Sequence, residues 1–176
     1  MTEEPQATDW AYAAGFVDGE GCIAVVRSFS RTRGRYYYGV TVVVTNTDRR
    51  VLDWLREVWS GHVQALGTRP GIARMSWVWR SPMGAGAQRF LEGVRPWLRM
   101  KTKQCDNALA MIALQNRSRY TLGPRPIPPE WLAEQEEHYW IQRELNHRGT
   151  APFVKRAMHS PRQISRERAL AANLGL

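Results

Sequence analysis

The chain has 176 residues, 43% of them hydrophobic, which suits one domain with a core of its own and a tail. Its two cysteines and four histidines exclude a disulfide framework and a zinc cluster. An acidic N-terminus and the lack of any apolar run of about 20 residues exclude a signal peptide and a membrane span, so we expect a soluble, intracellular protein of a bacterium, a phage host or an organelle. The net charge of +9, most of it from arginine, indicates a polyanionic partner, nucleic acid before acidic lipid.

Hydrophobic periodicity and turn residues predict helices that alternate with antiparallel hairpins. The predicted elements, in chain order, are a disordered lead (1–8), a helix capped by Asp9 (10–18), a hairpin (22–29 and 37–45), a helix capped by Asp48 or Thr47 (49–59), a second hairpin (62–66 and 73–80), two helices (87–94 and 102–116), a proline-rich linker, a helix (130–145) and a basic tail. This order predicts an α+β domain with helices on one face of an antiparallel sheet. The domain is assigned to residues 9–120, and residues 121–176 form the linker, helix and basic C-terminal tail. We expect residues 150–176 to add affinity for nucleic acid without sequence preference.

The first predicted helix is apolar or small on every side, which indicates that it is buried all round. Ala11, Ala14, Gly15 and Asp18 share one strip with little side-chain bulk, which favours close approach of a second helix. The strip ends in Asp18 and Glu20, at the helix end where the macrodipole disfavours negative charge. Acids held there need a cation, and hard oxygen ligands suit magnesium.

Residues 13–21, AAGFVDGEG, resemble the LAGLIDADG motif of the homing endonucleases. The resemblance covers residues 10–120: residues 44–50 resemble the family segment at the base of the first hairpin, and residues 98–104 resemble its lysine segment. It implies the homing-endonuclease fold, α-β-β-α-β-β-α with a saddle-shaped antiparallel sheet. Because only one motif is present, it also implies a homodimer and a pseudo-palindromic site in double-stranded DNA.

The resemblance implies the metal ligands. In this family the last acidic residue of each motif binds metal at the scissile phosphates, which makes Glu20 the ligand of Mg²⁺ (or Mn²⁺) and the backbone carbonyl of Gly19 a further ligand. Asp18 either orients the site or caps the neighbouring helix.

The resemblance also implies three further catalytic residues. Lys101 is the cation near the scissile phosphate, with Lys103 as the alternative because alignment across a loop can slip by two residues. Asn46 positions the attacking water and Arg50 contacts phosphate. The other interpretation is that Asn46 and Asp48 are only turn and cap residues.

The two hairpins are the predicted DNA-binding surface, because a two-stranded ribbon fits the major groove and arginine commonly contacts guanine there. Alternation places Val40, Val42 and Val44 of the second strand on a buried face, and Thr41, Val43 and Thr45 on the other. The predicted DNA contacts are Arg27, Arg31, Arg33, Arg35, Tyr37, Thr41, Thr45, Arg69, Arg74 and Ser76. Any one of these arginines can equally contact phosphate or solvent.

Cys22 and Cys105 are predicted to be inert, buried thiols.

The implied activity is site-specific hydrolysis of both DNA strands, in the homing of an intron, an intein or a free-standing gene. The alternative is a catalytically weak LAGLIDADG protein that acts as an RNA-splicing maturase or a DNA-binding regulator. Such proteins often lose the acidic metal ligand, so the presence of Glu20 favours the enzyme. A basic structural protein that coats RNA or DNA is a third hypothesis, and it predicts no dependence on divalent metal.

Overall fold

The computed structural model describes residues 4–32, 34–66, 75–122 and 127–147, and the helices and strands of these ranges follow the predicted order. They are α1 (Ala7–Glu20), β1 (Gly21–Ser30), β2 (Arg35–Asn46), α2 (Arg49–Trp59), β3 (His62–Leu66), β4 (Ser76–Arg80), α3 (Ala85–Val94), a short 3₁₀ turn (Arg95–Trp97), α4 (Thr102–Leu122) and α5 (Pro129–Leu145). None of the described helices is long and apolar enough to cross a membrane.

The four described strands form one antiparallel sheet in the order β1-β2-β4-β3. Side chains directly opposite each other share a face, so the pairs Ile23↔Val42 and Val44↔Trp79 place one face of the sheet on the hydrophobic core. The opposite side is the outer face. Its residues are Cys22, Ala24, Val26, Ser28, Ser30, Arg35, Tyr37, Gly39, Thr41, Val43, Thr45, His62, Gln64, Leu66, Ser76, Val78 and Arg80.

Helix α1 packs on β1 and β2 and against α3, with Ala13, Ala14 and Val17 fully buried. It begins at Ala7, earlier than predicted, and therefore takes in the last residues of the predicted lead. Asp9 is not the N-cap: it lies in the first turn, and its carboxylate accepts a hydrogen bond from the Gln6 backbone N–H at 2.8 Å. In a capping box an acidic or amide residue at the third helical position binds the backbone N–H of the N-cap residue, so Asp9 fits this position as well as the N-cap itself.

Helix α5 belongs to the same hydrophobic core, so the described fold extends past the predicted boundary at residue 120. The buried Gln142 and the neighbouring Asn146 both donate hydrogen bonds to the Ile23 carbonyl, at 2.6 and 2.8 Å. Asn107 of α4 donates to the Gln142 side chain at 2.8 Å. These amides cover part of the free edge of β1, which would otherwise offer unpaired backbone groups. The predicted role of residues 150–176 concerns a segment outside the described residues and stays a prediction.

Candidate active site and nucleic-acid interface

The C-terminal end of α1 runs directly into β1. Gly21 stands at the junction, where a Cβ would lie 2.7 Å from the Val17 Cα, so only glycine fits this close approach of strand to helix. Glu20, immediately before it, is exposed. The tight junction holds the Glu20 carboxylate at the negative end of the α1 dipole and at the beginning of the sheet.

Asp18 ties α1 to the loop that precedes α4. Its carboxylate accepts hydrogen bonds from the backbone N–H groups of Arg99, Met100 and Lys101, at 2.7, 3.2 and 3.0 Å. Three donors occupy both carboxylate oxygens, which leaves them poorly placed to bind metal as well. Of the two interpretations of Asp18, the structure supports capping of the neighbouring segment.

Lys101 lies against the end of α1. The residue is 8% exposed, and Nζ donates hydrogen bonds to the backbone carbonyls of Val17, at 2.8 Å, and Asp18. A cation at a helix C-terminus is stabilised by the dipole and here offsets the nearby carboxylates. The other candidate, Lys103, is exposed on the first turn of α4. The structure thus brings Lys101 to the helix end that carries Glu20.

Asn46 ends β2, two residues beyond Val44, the partner of Gly21. Its side-chain oxygen accepts a hydrogen bond from the Asp48 backbone N–H at 2.8 Å and closes the turn into α2. The turn interpretation is therefore correct as far as this contact goes, and a role for Asn46 with water stays a prediction.

Arg50 is paired with Asp48. The Asp48 carboxylate caps α2 by accepting from the Arg50 N–H at 2.9 Å, and it binds the Arg50 guanidinium through two nitrogens. The hydrogen bonds from Arg50 lower the pKa of Asp48 to about 2. The Arg50 side chain is 91% exposed and lines a surface cavity of about 730 Å³ with Thr8 and Tyr12 of α1. Along the helix axis Tyr12 is on the order of 12 Å from Glu20, so Arg50 lies beside the other end of α1.

The exposed strip of α1 differs from the predicted one. Tyr12 is exposed, and a Cβ at Gly15 or Gly19 would meet nothing within 4 Å. The predicted strip was Ala11, Ala14, Gly15 and Asp18. The prediction for Ala14 is wrong, because this residue is fully buried in the core of its own chain. The Asp18 carboxylate accepts hydrogen bonds from the same chain. The Gly15–Gly19 spacing in the sequence is the signal that sequence reasoning missed.

The described residues supply few side-chain ligands for a metal ion at this end of α1. Among the described residues no three His, Cys, Asp or Glu side chains lie close enough to hold an ion. Glu20 offers a hard oxygen donor of the kind that divalent cations prefer, but Asp18 is committed to backbone N–H groups. One carboxylate and a backbone carbonyl fit a divalent ion whose remaining ligands come from water, phosphate or another carboxylate.

The strands of the described sheet contain arginine and histidine but no Asp or Glu. All the acids of the described residues lie on helices or in connecting segments. On the outer face Arg35 donates from Nε to the Tyr37 hydroxyl at 2.9 Å, and its guanidinium lies 4.8 Å from the Tyr37 ring centroid. Arg31, at the hairpin tip, is exposed. This face attracts anions.

Only some of the other predicted DNA contacts lie among the described residues. Thr41, Thr45 and Ser76 lie on the outer face, although Thr41 is almost fully buried. Arg33, Arg69 and Arg74 fall outside the described residues, so these contacts stay predictions.

The prediction that Arg27 contacts DNA is wrong. Its side chain is 5% exposed and forms an ion pair with Glu136 of α5 at 2.9 Å. The guanidinium lies 4.6 and 4.7 Å from the ring centroids of Tyr36 and Tyr139. Strand alternation is the reason, because Arg27 is an even number of residues from Ile23 and shares its helix-facing side.

The prediction that Cys22 is a buried thiol is also wrong. Cys22 is exposed and lies on the outer face.

The fold is that of solved LAGLIDADG homing endonucleases, as predicted. I-CvuI, a homing endonuclease in complex with its target in the presence of calcium, aligns with a TM-score of 0.64 at 20% identity over 96% of each chain. An archaeal intron-encoded homing endonuclease complexed with DNA aligns with a TM-score of 0.63 at 15% identity, over 84% of this chain and 89% of that chain. I-SmaMI, a LAGLIDADG homing endonuclease bound to cleaved DNA, aligns with a TM-score of 0.58 at 15% identity, over 74% of this chain and 42% of that chain. No protein-family model and no curated protein matches the sequence.

Proposed function

We propose that this chain, which has the LAGLIDADG homing-endonuclease fold, is a site-specific endonuclease that acts as a homodimer and hydrolyses both strands of a long pseudo-palindromic DNA site with Mg²⁺ (or Mn²⁺). The observation that carries the proposal is that Glu20 and the Lys101 ammonium, which binds the Val17 and Asp18 carbonyls, lie at the same end of α1, where a sheet without acidic residues begins. The proposed biological role is homing of an intron, an intein or a free-standing gene, since the similar structures are homing endonucleases.

The outer face is the proposed DNA-binding surface. A duplex carries one negative charge per roughly 1.7 Å of its axis, so an acid-free face with cations near its ends is electrostatically complementary to it. Arg31 and Arg35 lie towards the hairpin tip, and Arg80 lies at the other end of the face.

The exposed strip of α1 supports the proposed homodimer. Tyr12, Gly15 and Gly19 form an exposed strip whose glycines leave room for another helix backbone. Two α1 helices that cross on this strip bring two Glu20 residues to the two-fold axis. Each chain then supplies half of a metal site, and the two-fold axis explains a pseudo-palindromic target.

The residues of this chain have distinct proposed tasks. Glu20 and the Gly19 carbonyl hold the metal ion, which when bound would stabilise the attacking and leaving oxygens. Lys101 adds positive charge beside the phosphate. The Asn46 amide orients the attacking water, and Arg50, exposed beside the strip, contacts phosphate.

Replacing Glu20 with Gln tests the proposal. The wild type should cut a randomised duplex library in magnesium and bind the selected site without cutting in calcium. Glu20→Gln removes the charge that holds the metal and should lower the cleavage rate by several orders of magnitude, while DNA affinity stays equal or rises slightly because repulsion from phosphate falls.

Glu137→Gln is the matched control, since it removes an exposed carboxylate from α5, and it should cut like the wild type. Cleavage by Glu20→Gln at the wild-type rate would contradict the placement of the site and would favour a maturase or a DNA-binding regulator.

A further inference from the structure

An exposed apolar patch lies on the outer face, over the β1–β2 hairpin. Val26 of β1 is 40% exposed, and Met83, from the loop after β4, is 62% exposed. A Cβ at Gly39 would lie 2.3 Å from the Met83 Cε and 3.6 Å from the Val26 Cγ2, so both side chains converge above Gly39. We name Val26 and Met83 the methyl-contact patch.

The loop that carries Met83 is held onto the sheet. Ser81 donates its backbone N–H to the Val42 carbonyl at 2.9 Å, and its hydroxyl accepts from the Val42 N–H at 3.0 Å. These two hydrogen bonds extend the edge of β2 beyond β4 and place Met83 beside Gly39. The two side chains lie side by side on a face that carries arginines, so together they offer an apolar contact to whatever binds that face.

We infer that the methyl-contact patch recognises thymine through its C5-methyl group, so that each half-site contains a T·A pair opposite the patch. This inference rests on the proposed function. Thymine is the base that presents a methyl group in the major groove, and apolar side chains are its usual partners there. Neither Val26 nor Met83 offers a strong donor or acceptor for another base edge. RNA does not fit, since its deep, narrow major groove is closed to side chains.

The position of the pair follows from strand geometry. Val26 is six residues beyond Glu20, and a strand rises about 3.3 Å per residue, which gives roughly 20 Å. Along a duplex with a rise of about 3.4 Å per base pair this is about six base pairs. We therefore place the T·A pair about six base pairs outward from the cleaved phosphates.

Selection from a randomised duplex library with the full chain in calcium is the first test. A T·A pair enriched at that position in both half-sites supports the inference. A palindromic site with no preference for thymine there overturns the inference and leaves the proposed function standing. Selection of no sequence at all overturns both.

Exchange of thymine for uracil is the second test, because it removes only the methyl group. Uracil at that pair should weaken wild-type binding about fourfold for each half-site, the effect of one buried methyl group. The variant Val26→Ala with Met83→Ala should bind the uracil site as well as the wild type does and show no further loss from the exchange. Uracil at thymines elsewhere in the site is the control. An equal fourfold loss in wild type and variant would overturn the inference, because the methyl group would then contact other residues.

Discussion

Two arginines on one hairpin show that the parity of a residue's position determines its environment. Arg27 and Arg35 lie on paired strands, in the same hairpin, but on opposite faces of the sheet. Arg27 is packed between the sheet and α5, and Arg35 faces outward over Tyr37. Alternating burial, which makes a strand amphipathic, therefore assigns one arginine to stability and the other to the anion-attracting surface.

Replacement of Arg27 with Ala should lower the free energy of unfolding by about 2 kcal/mol, because it leaves Glu136 without its partner and removes a stacked guanidinium. This loss is smaller than the one expected for a fully buried pair, since Glu136 is about half exposed. Urea denaturation followed by tryptophan fluorescence measures the change.

Arg35→Ala is the control for this substitution. It should weaken DNA binding and change the urea midpoint little, as a surface substitution does. The assignment of Arg27 fails if Arg27→Ala keeps wild-type stability and loses DNA affinity.

Helix α1 is the element whose environment its sequence describes least. It is apolar almost all round, so periodicity does not distinguish the stripe that packs on its own sheet from the stripe left for a second copy. The structure resolves this, because Ala14 and Val17 are buried while Tyr12, Gly15 and Gly19 are not. The exposed strip is a property of packing.

Gly15→Leu should separate the proposed dimer without unfolding the chain. No atom lies within 4 Å of a Cβ at Gly15, and leucine is a better helix former than glycine by roughly 0.8 kcal/mol, so the single chain tolerates the change. Between two closely packed helices the same side chain overpacks the interface. Light scattering at micromolar concentration should give the mass of two chains for the wild type and of one chain for the variant, with cleavage lost.

Ala133→Leu places the same bulk on an exposed position of α5 and should remain dimeric. A wild-type mass of one chain on bound DNA would rule out the dimer.

Over the whole molecule the described acids and the outer face are separated. The helices and connecting segments carry the carboxylates, and the strands carry none, although the net charge of the chain is +9. This separation gives the sheet a side whose strands present no fixed negative charge to a polyanion. It also predicts that a bound duplex shields the outer face from reagents in solution.

Cysteine labelling measures that protection. At pH 8 a thiol reagent should label the exposed Cys22 and leave Cys105 unreacted, because burial raises the pKa of Cys105 to about 12 and keeps it protonated. A saturating duplex in calcium should slow the labelling of Cys22 at least tenfold, since Cys22 lies on the outer face beside Glu20.

Cys22→Ser removes the fast-reacting thiol and serves as the control. Labelling of Cys22 at the same rate on bound DNA would show that the duplex lies elsewhere.

Sequence alone determined the features that depend on near neighbours. Helix α2 has its predicted bounds and its Asp48 cap, β3 lies where it was predicted, and the motif placed Glu20 at the end of a buried helix. Tertiary structure decided which stripe of α1 is exposed, that α5 completes the core, and that Lys101 lies against α1. The physical reason is range: caps and periodicity act over a few residues, whereas these three features depend on contacts between segments distant in the chain. An apolar helix, or a lysine in a loop, has the same local signature whichever partner it finally packs against.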